Sequence, residues 1–139
     1  MKRKYEFIEH TGDLGFKAYG TSLQALFAHA AEALFETVVP VESIKEREKR
    51  VVEVAADALD NLMVGWLSEL LYLFDTEGVL LRRFEVKAIA DDHLKALVWG
   101  ELLDPARHEI KTGIKAVTYH KLYVRQTNDA WEAQVILDI

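Results

Sequence analysis

The chain has 139 residues, half of them hydrophobic, with a formal charge of −6 and no cysteine. That is enough for one domain with a real core, and it excludes disulfides, thiolate metal sites and thiol nucleophiles. The acidic balance argues against unaided RNA or DNA binding, which needs a basic face to meet phosphates.

The start, MKRKYEFIEH, has a basic head but no apolar stretch after it, so it does not read as a signal peptide. No run of about 18 apolar residues follows anywhere, so no membrane span is expected. A cytoplasmic protein is the simplest reading. Residues 4–9 and 16–20 alternate like two short strands, joined through 10–14, which opens with His10-Thr11-Gly12-Asp13. Those four polar or tiny residues have two readings. One is an Asx-turn between strands. The other is an ion or phosphate site, with Asp13 a short, rigid carboxylate beside a glycine that lets backbone approach.

Next, TSLQALFAHAAEALFETVVP opens with Thr21 at an expected N-cap and Gln24 three residues on. Leu23, Leu26, Phe27, Ala30, Leu34 and Val38 form one apolar stripe of a helix that Pro40 stops. His29, at the edge of that stripe, reads as a packing or surface histidine. KEREKR at 45–50 interleaves basic residues with glutamate and reads as a solvated face or loop. RVVEVAA at 50–56 reads as a strand. Asp57 is placed to cap a second helix, whose wide apolar face runs from Leu59 to Phe74 and includes Trp66, with Gly78 as its C-cap.

From Val79 onward the pattern is of strands. VLLRRFEVKAIA and HLKALVWGELL flank a turn at Asp91-Asp92, DPARHEIKTG is loop-like, and IKAVTYHKLYVRQ pairs with WEAQVILDI across 127–130. The expected class is α+β: a single domain over 1–139, with two amphipathic helices packed on mainly antiparallel sheet.

Three places carry polar groups that patterning leaves unexplained. The first is the 10–13 segment. The second is KAVTYH: read as one strand, Thr118 and His120 share an otherwise apolar side, as a satisfied core pair or the wall of a site. Core is the expected place for His120, and Lys115 can be a plain surface lysine. The third is the closing VILDI, where Asp138 and the terminal carboxylate of Ile139 follow a buried apolar run and require a cation or hydrogen-bond donors. Asp13 and Asp138 together would suit a hard divalent ion such as calcium or magnesium. Spacing alone does not bring the two ends of the chain together.

EHTGD, DPARHE, KAVTYH and VILDI, in that order, resemble the archease family over nearly the whole chain. The resemblance implies a small α+β protein that is not itself an enzyme. It would serve as an activator of an RtcB-type tRNA-splicing RNA ligase, promoting guanylylation and multiple turnover. It further implies divalent-metal ligands at Asp13 and Asp138, with oxygen from Ile139, and an activating role for Lys115. His10, Thr118 and His120 match the motifs as possible support. Calcium is the expected ion in a structure, with magnesium or manganese possible in the cell. The ligase is the implied partner, and tRNA is met only through it. Gly12 departs from the alanine common in the family. Two rival readings remain: a free-standing metal-dependent hydrolase or phosphatase, and an RNA-binding chaperone. Against the first, there is no phosphate-cradling glycine loop and no obvious activated nucleophile.

Overall fold

Alternating strands and two apolar-faced helices assemble into two antiparallel sheets that share the helices as their filling. The computed structural model describes residues 3–10 and 13–139, His10 by its backbone only, and Thr11 and Gly12 of the 10–13 segment lie outside the described residues. The strands are β1 (Tyr5–His10), β2 (Asp13–Gly20), β3 (Glu48–Ala55), β4 (Val79–Ile89), β5 (His93–Leu102), β6 (Ala116–Val117), β7 (Tyr123–Thr127) and β8 (Ala130–Asp138). The helices are α1 (Leu23–Val38) and α2 (Leu59–Glu77), with a 3-10 turn at Val41–Ser43. One sheet has the order β1-β2-β8-β6, with β7 also on β8; the other has the order β3-β5-β4. Both helices touch each other and both sheets, and the expected α+β class holds.

Each helix forms for local reasons. Ser22, rather than Thr21, caps α1: its Oγ accepts from the Ala25 N–H at 3.1 Å. Leu26, Phe27, Ala30, Ala31 and Leu34 are buried on its core side, and the helix ends at Val38, before Pro40. Asp57 does not cap α2. The N-cap is Ala58, without a side-chain bond, and the Asp57 carboxylate accepts from Asn61 Nδ2 instead. Gly78 closes α2 at φ 70°, where a glycine is the least strained residue. Trp66 is a core residue, fully buried, with its Nε1–H donating to the Phe27 carbonyl at 2.9 Å; that bond locks α2 onto α1. His29 has a packing role, its Nδ1 lying 2.6 Å from the Tyr19 carbonyl.

The central pair of the first sheet is β2 with β8, in the register Leu14↔Leu137, Phe16↔Val135 and Ala18↔Ala133. Phe16, Ala18, Ala133, Val135 and Leu137 are fully buried, so this face meets the helices. Period-two alternation turns Asp13, Gly15, Lys17 and Tyr19 to the opposite face, along with Asp138, Ile136, Gln134 and Glu132. A Cβ on Gly15 would lie 2.6 Å from Ile136 Cδ1 and 2.8 Å from the Val135 carbonyl. Glycine is there for room.

One strand expectation is corrected. Residues 114–126 are not a continuous strand: β6 covers two residues, the chain turns through 119–122 with Lys121 at φ 52°, and β7 then restarts along β8. The β7–β8 hairpin across Thr127↔Ala130 and the β4–β5 hairpin around Asp91-Asp92 form as expected.

Candidate functional site

Leu14 pairs with Leu137, and β2 begins and β8 ends one residue further on, so the next register step sets Asp13 beside Asp138. Directly opposed residues of antiparallel strands bring their Cβ atoms to about 5 Å on the same face. On the outer strands, His10 pairs with Asp13 and Ala116 pairs with Asp138. The result is a row across four strands: Asp13, Asp138 and Ala116 on the face away from the helices, with the His10 backbone next in register. Asp138 and Ile139 are exposed and Asp13 is half-buried. Neither aspartate has an ion pair or a side-chain hydrogen bond among the described residues.

The next row holds Ile8, Gly15, Ile136 and Thr118. Thr118 Oγ1 donates to the Ile136 carbonyl at 2.8 Å and accepts the His120 N–H at 3.2 Å, while the Thr118 N–H also reaches the Ile136 carbonyl at 3.1 Å. Thr118 therefore ties the 119–122 turn to β8, two residues from Asp138. Because the chain turns there, His120 is exposed and not a core residue as expected, and it does not share a strand face with Thr118. The Lys115 N–H donates to the Asp138 carbonyl at 2.7 Å, which sets Lys115 across from the terminal Ile139. Its side chain is exposed, with no bonded partner among the described residues.

The donors available on this tip are hard: two carboxylates and backbone carbonyls. That set fits calcium, magnesium or manganese better than zinc. Among the described residues no group of three or more histidine, cysteine, aspartate or glutamate side chains converges.

A second polar cluster escaped the sequence reading. Alternation along β5 places Leu94, Ala96 and Val98 inward, and Leu102 would follow. Instead Leu102 is 53% exposed and Glu101 is 4% exposed. Glu101 accepts from the Lys45 N–H at 2.8 Å, lies 2.9 Å from His108 Nε2 and pairs with Arg107. Since His108 Nδ1 accepts the Asp104 N–H at 2.9 Å, the ring proton sits on Nε2 and points at Glu101. Burial pushes the Glu101 carboxyl up, but Arg107, the Lys45 N–H and His108 together hold it down at about 2. The only sequence signal was DPARHE itself, a loop with two potential cations three residues past an apolar strand. This cluster anchors the loop.

A cleft of about 500 Å3 opens at the other end of β2 and β8, lined by Tyr19, His29, Trp131 and Glu132 among others. It includes none of the sequence-expected site residues.

The model of the Archease protein family (MTH1598/TM1083) matches residues 5–139. The chain belongs to the archease family. It is 43% identical to the protein archease of Pyrococcus abyssi over the full length of both chains. It is 40% identical to that of Methanosarcina mazei, over 99% of this chain and 97% of the relative. The solution structure of protein 1598 from Methanobacterium thermoautotrophicum superposes with a TM-score of 0.86 at 36% identity, covering 98% of this chain and 99% of that one. An archease from Thermotoga maritima, described as a possible chaperone, shares the fold with a TM-score of 0.64 at 22% identity, covering 100% and 98%. Among the described residues, no helix is long and apolar enough to cross a membrane.

Proposed function

We propose that this family member activates an RtcB-type RNA ligase in the cytoplasm, promoting its guanylylation and multiple turnover without catalysing a reaction of its own. The supporting observation is the adjacency of Asp13 and Asp138 on an open face, with no cationic side chain of the described chain to neutralise them. Asp13, Asp138 and an oxygen of Ile139 would hold a divalent ion, with calcium, magnesium and manganese all compatible with the oxygen donors. Bound there, such an ion supplies positive charge for nucleotide phosphates at the ligase active site.

The chain's own residues do the positioning. Thr118 and the Lys115 main chain fix the end of β8 and hence Asp138. The Lys115 ammonium is free to meet an anionic group on the partner. His10 stands at the end of the acidic row in register, and His120 presents an exposed ring on the adjoining turn, both as support. An acidic activator complements a partner that carries the basic, phosphate-binding surface, so tRNA is met through the ligase.

Single-turnover guanylylation of the ligase, with and without this protein, tests the reading. Stimulation by the wild type and its loss in Asp13→Ala and Asp138→Ala are expected. Normal stimulation by either variant sinks the acidic-tip mechanism. Steady turnover of phosphorylated nucleotides by the protein and metal alone would favour the hydrolase reading. A salt-sensitive shift of tRNA by the protein alone would favour an RNA-binding chaperone.

A further inference from the structure

The strand β3 is an outer edge of its sheet, bonded to β5 on one side only. The Ala56 N–H donates to the Asp92 carbonyl, in line with the β3–β5 register Ala55↔His93. Bonded positions alternate along an antiparallel ladder, so the even residues of β3 bond to β5. Lys49, Val51, Glu53 and Ala55 then turn their N–H and C=O groups to the free edge. Of these, the Lys49 carbonyl accepts from Arg50 Nη1 at 3.1 Å and keeps a second lone pair. The same four residues carry their side chains on the face away from α2, where Val51 is 58% exposed.

An unpaired edge is a template for another strand, and proteins commonly blunt it with charged side chains, lysine above all. Here the signs are mixed, and in a particular order: Lys49, Val51, Glu53. We propose that β3 pairs with β3 of a second copy, antiparallel about a two-fold axis through Val51. In that register Val51 faces Val51 of the second copy, and Lys49 faces Glu53 on both sides of the axis. All three are positions whose backbone groups point outward, so ladder bonds and side-chain pairs coincide. A slip of two residues either way sets Val51 against Lys49 or Glu53 and loses the match.

The neighbouring strand extends the pattern. Val51 pairs with Leu97 and Glu53 with Lys95 within one copy. The joined sheet therefore carries a central apolar row, Leu97-Val51-Val51-Leu97, flanked by rows of alternating charge. Contacts of this kind are isologous and close on themselves, giving a dimer and not a fibre. None of the strands bearing Asp13 and Asp138 takes part, so a dimer presents two acidic tips.

Sedimentation velocity of the full chain, from about 1 to 500 µM at low ionic strength, tests this. The wild type should dimerise within that range. Lys49→Glu and Glu53→Lys should each weaken the dimer about tenfold, by setting like charges in opposition on both sides of the axis. An equimolar mixture of the two variants should recover dimers, since every facing pair is then opposite in charge. The chain has no cysteine, so Val51→Cys adds a single thiol. Mild oxidation should cross-link it across the axis, where bonded Cα atoms sit about 5.5 Å apart. A wild type that stays monomeric overturns the proposal. So do a Lys49→Glu dimer of unchanged affinity, a mixture that fails to recover, and a Val51→Cys chain that does not cross-link.

Discussion

Asp13 and Asp138, at opposite ends of the chain, are neighbours across the central strand pair, one register step beyond Leu14↔Leu137. Like charges on directly opposed strand positions repel and destabilise the pair. A bound cation removes that repulsion. Millimolar calcium should therefore raise the melting temperature of the wild type, while Asp13→Asn and Asp138→Asn should melt at or above the metal-free wild type and respond little. Differential scanning calorimetry with and without calcium checks this. An equal calcium response in all three proteins would show that the aspartates hold no ion.

The row is built on close strand contact at Gly15, where a Cβ would fall 2.6 Å from Ile136 Cδ1. Gly15→Ala has to displace Ile136, which is 2% exposed, or part β2 from β8. We expect a loss of about 1–3 kcal/mol in stability by urea unfolding. The calcium response should fall as well, because Asp13 and Asp138 are the next residues on that face.

Thr118→Val keeps the shape of the side chain but removes the hydroxyl that joins the Ile136 carbonyl to the His120 N–H. The cost should be about 1 kcal/mol. Faster amide exchange at His120 in NMR, with the core amides of β2 unchanged, would locate the effect in the turn that borders Asp138.

Glu101 should contribute to acid stability. Its carboxyl is held at about 2 in the folded chain, below the usual carboxylate value of 4.5. A folded value below the unfolded one means that the unfolded chain binds the proton more readily. The stabilisation is therefore complete above about pH 5 and drains away as pH falls towards 2. Its size is on the order of 1–3 kcal/mol, from the free-energy equivalent of a pKa shift. Glu101→Gln should lower stability at pH 7 and flatten the pH dependence between 5 and 2, read by chemical unfolding across that range. A Glu101→Gln profile parallel to the wild type would remove Glu101 as the acid-sensitive group.

Much of the local structure was written in short-range pattern. The apolar stripes of α1 and α2, the Gly78 cap, the Asp91-Asp92 turn and the final hairpin all follow from residues within a turn or two of one another. Capping was less legible: Thr21 and Ser22 offer the same hydroxyl chemistry, and it is the Ser22 Oγ that meets the Ala25 N–H. KAVTYHKLYV alternates well enough to pass for one strand. Yet Lys121 adopts positive φ, and the Thr118 hydroxyl bonds across to β8, so the segment breaks into a turn.

By itself the sequence determined the class of fold, the faces of the helices and, through its ordered motifs, the family. Tertiary structure alone decided that β2 lies against β8, in the register that sets Asp13 beside Asp138. It also decided that Glu101 is buried while Leu102 is not. The reason is range. Periodicity records which side of an element is apolar, whereas strand partners and buried charges are chosen by groups far along the chain, once burial has brought them together.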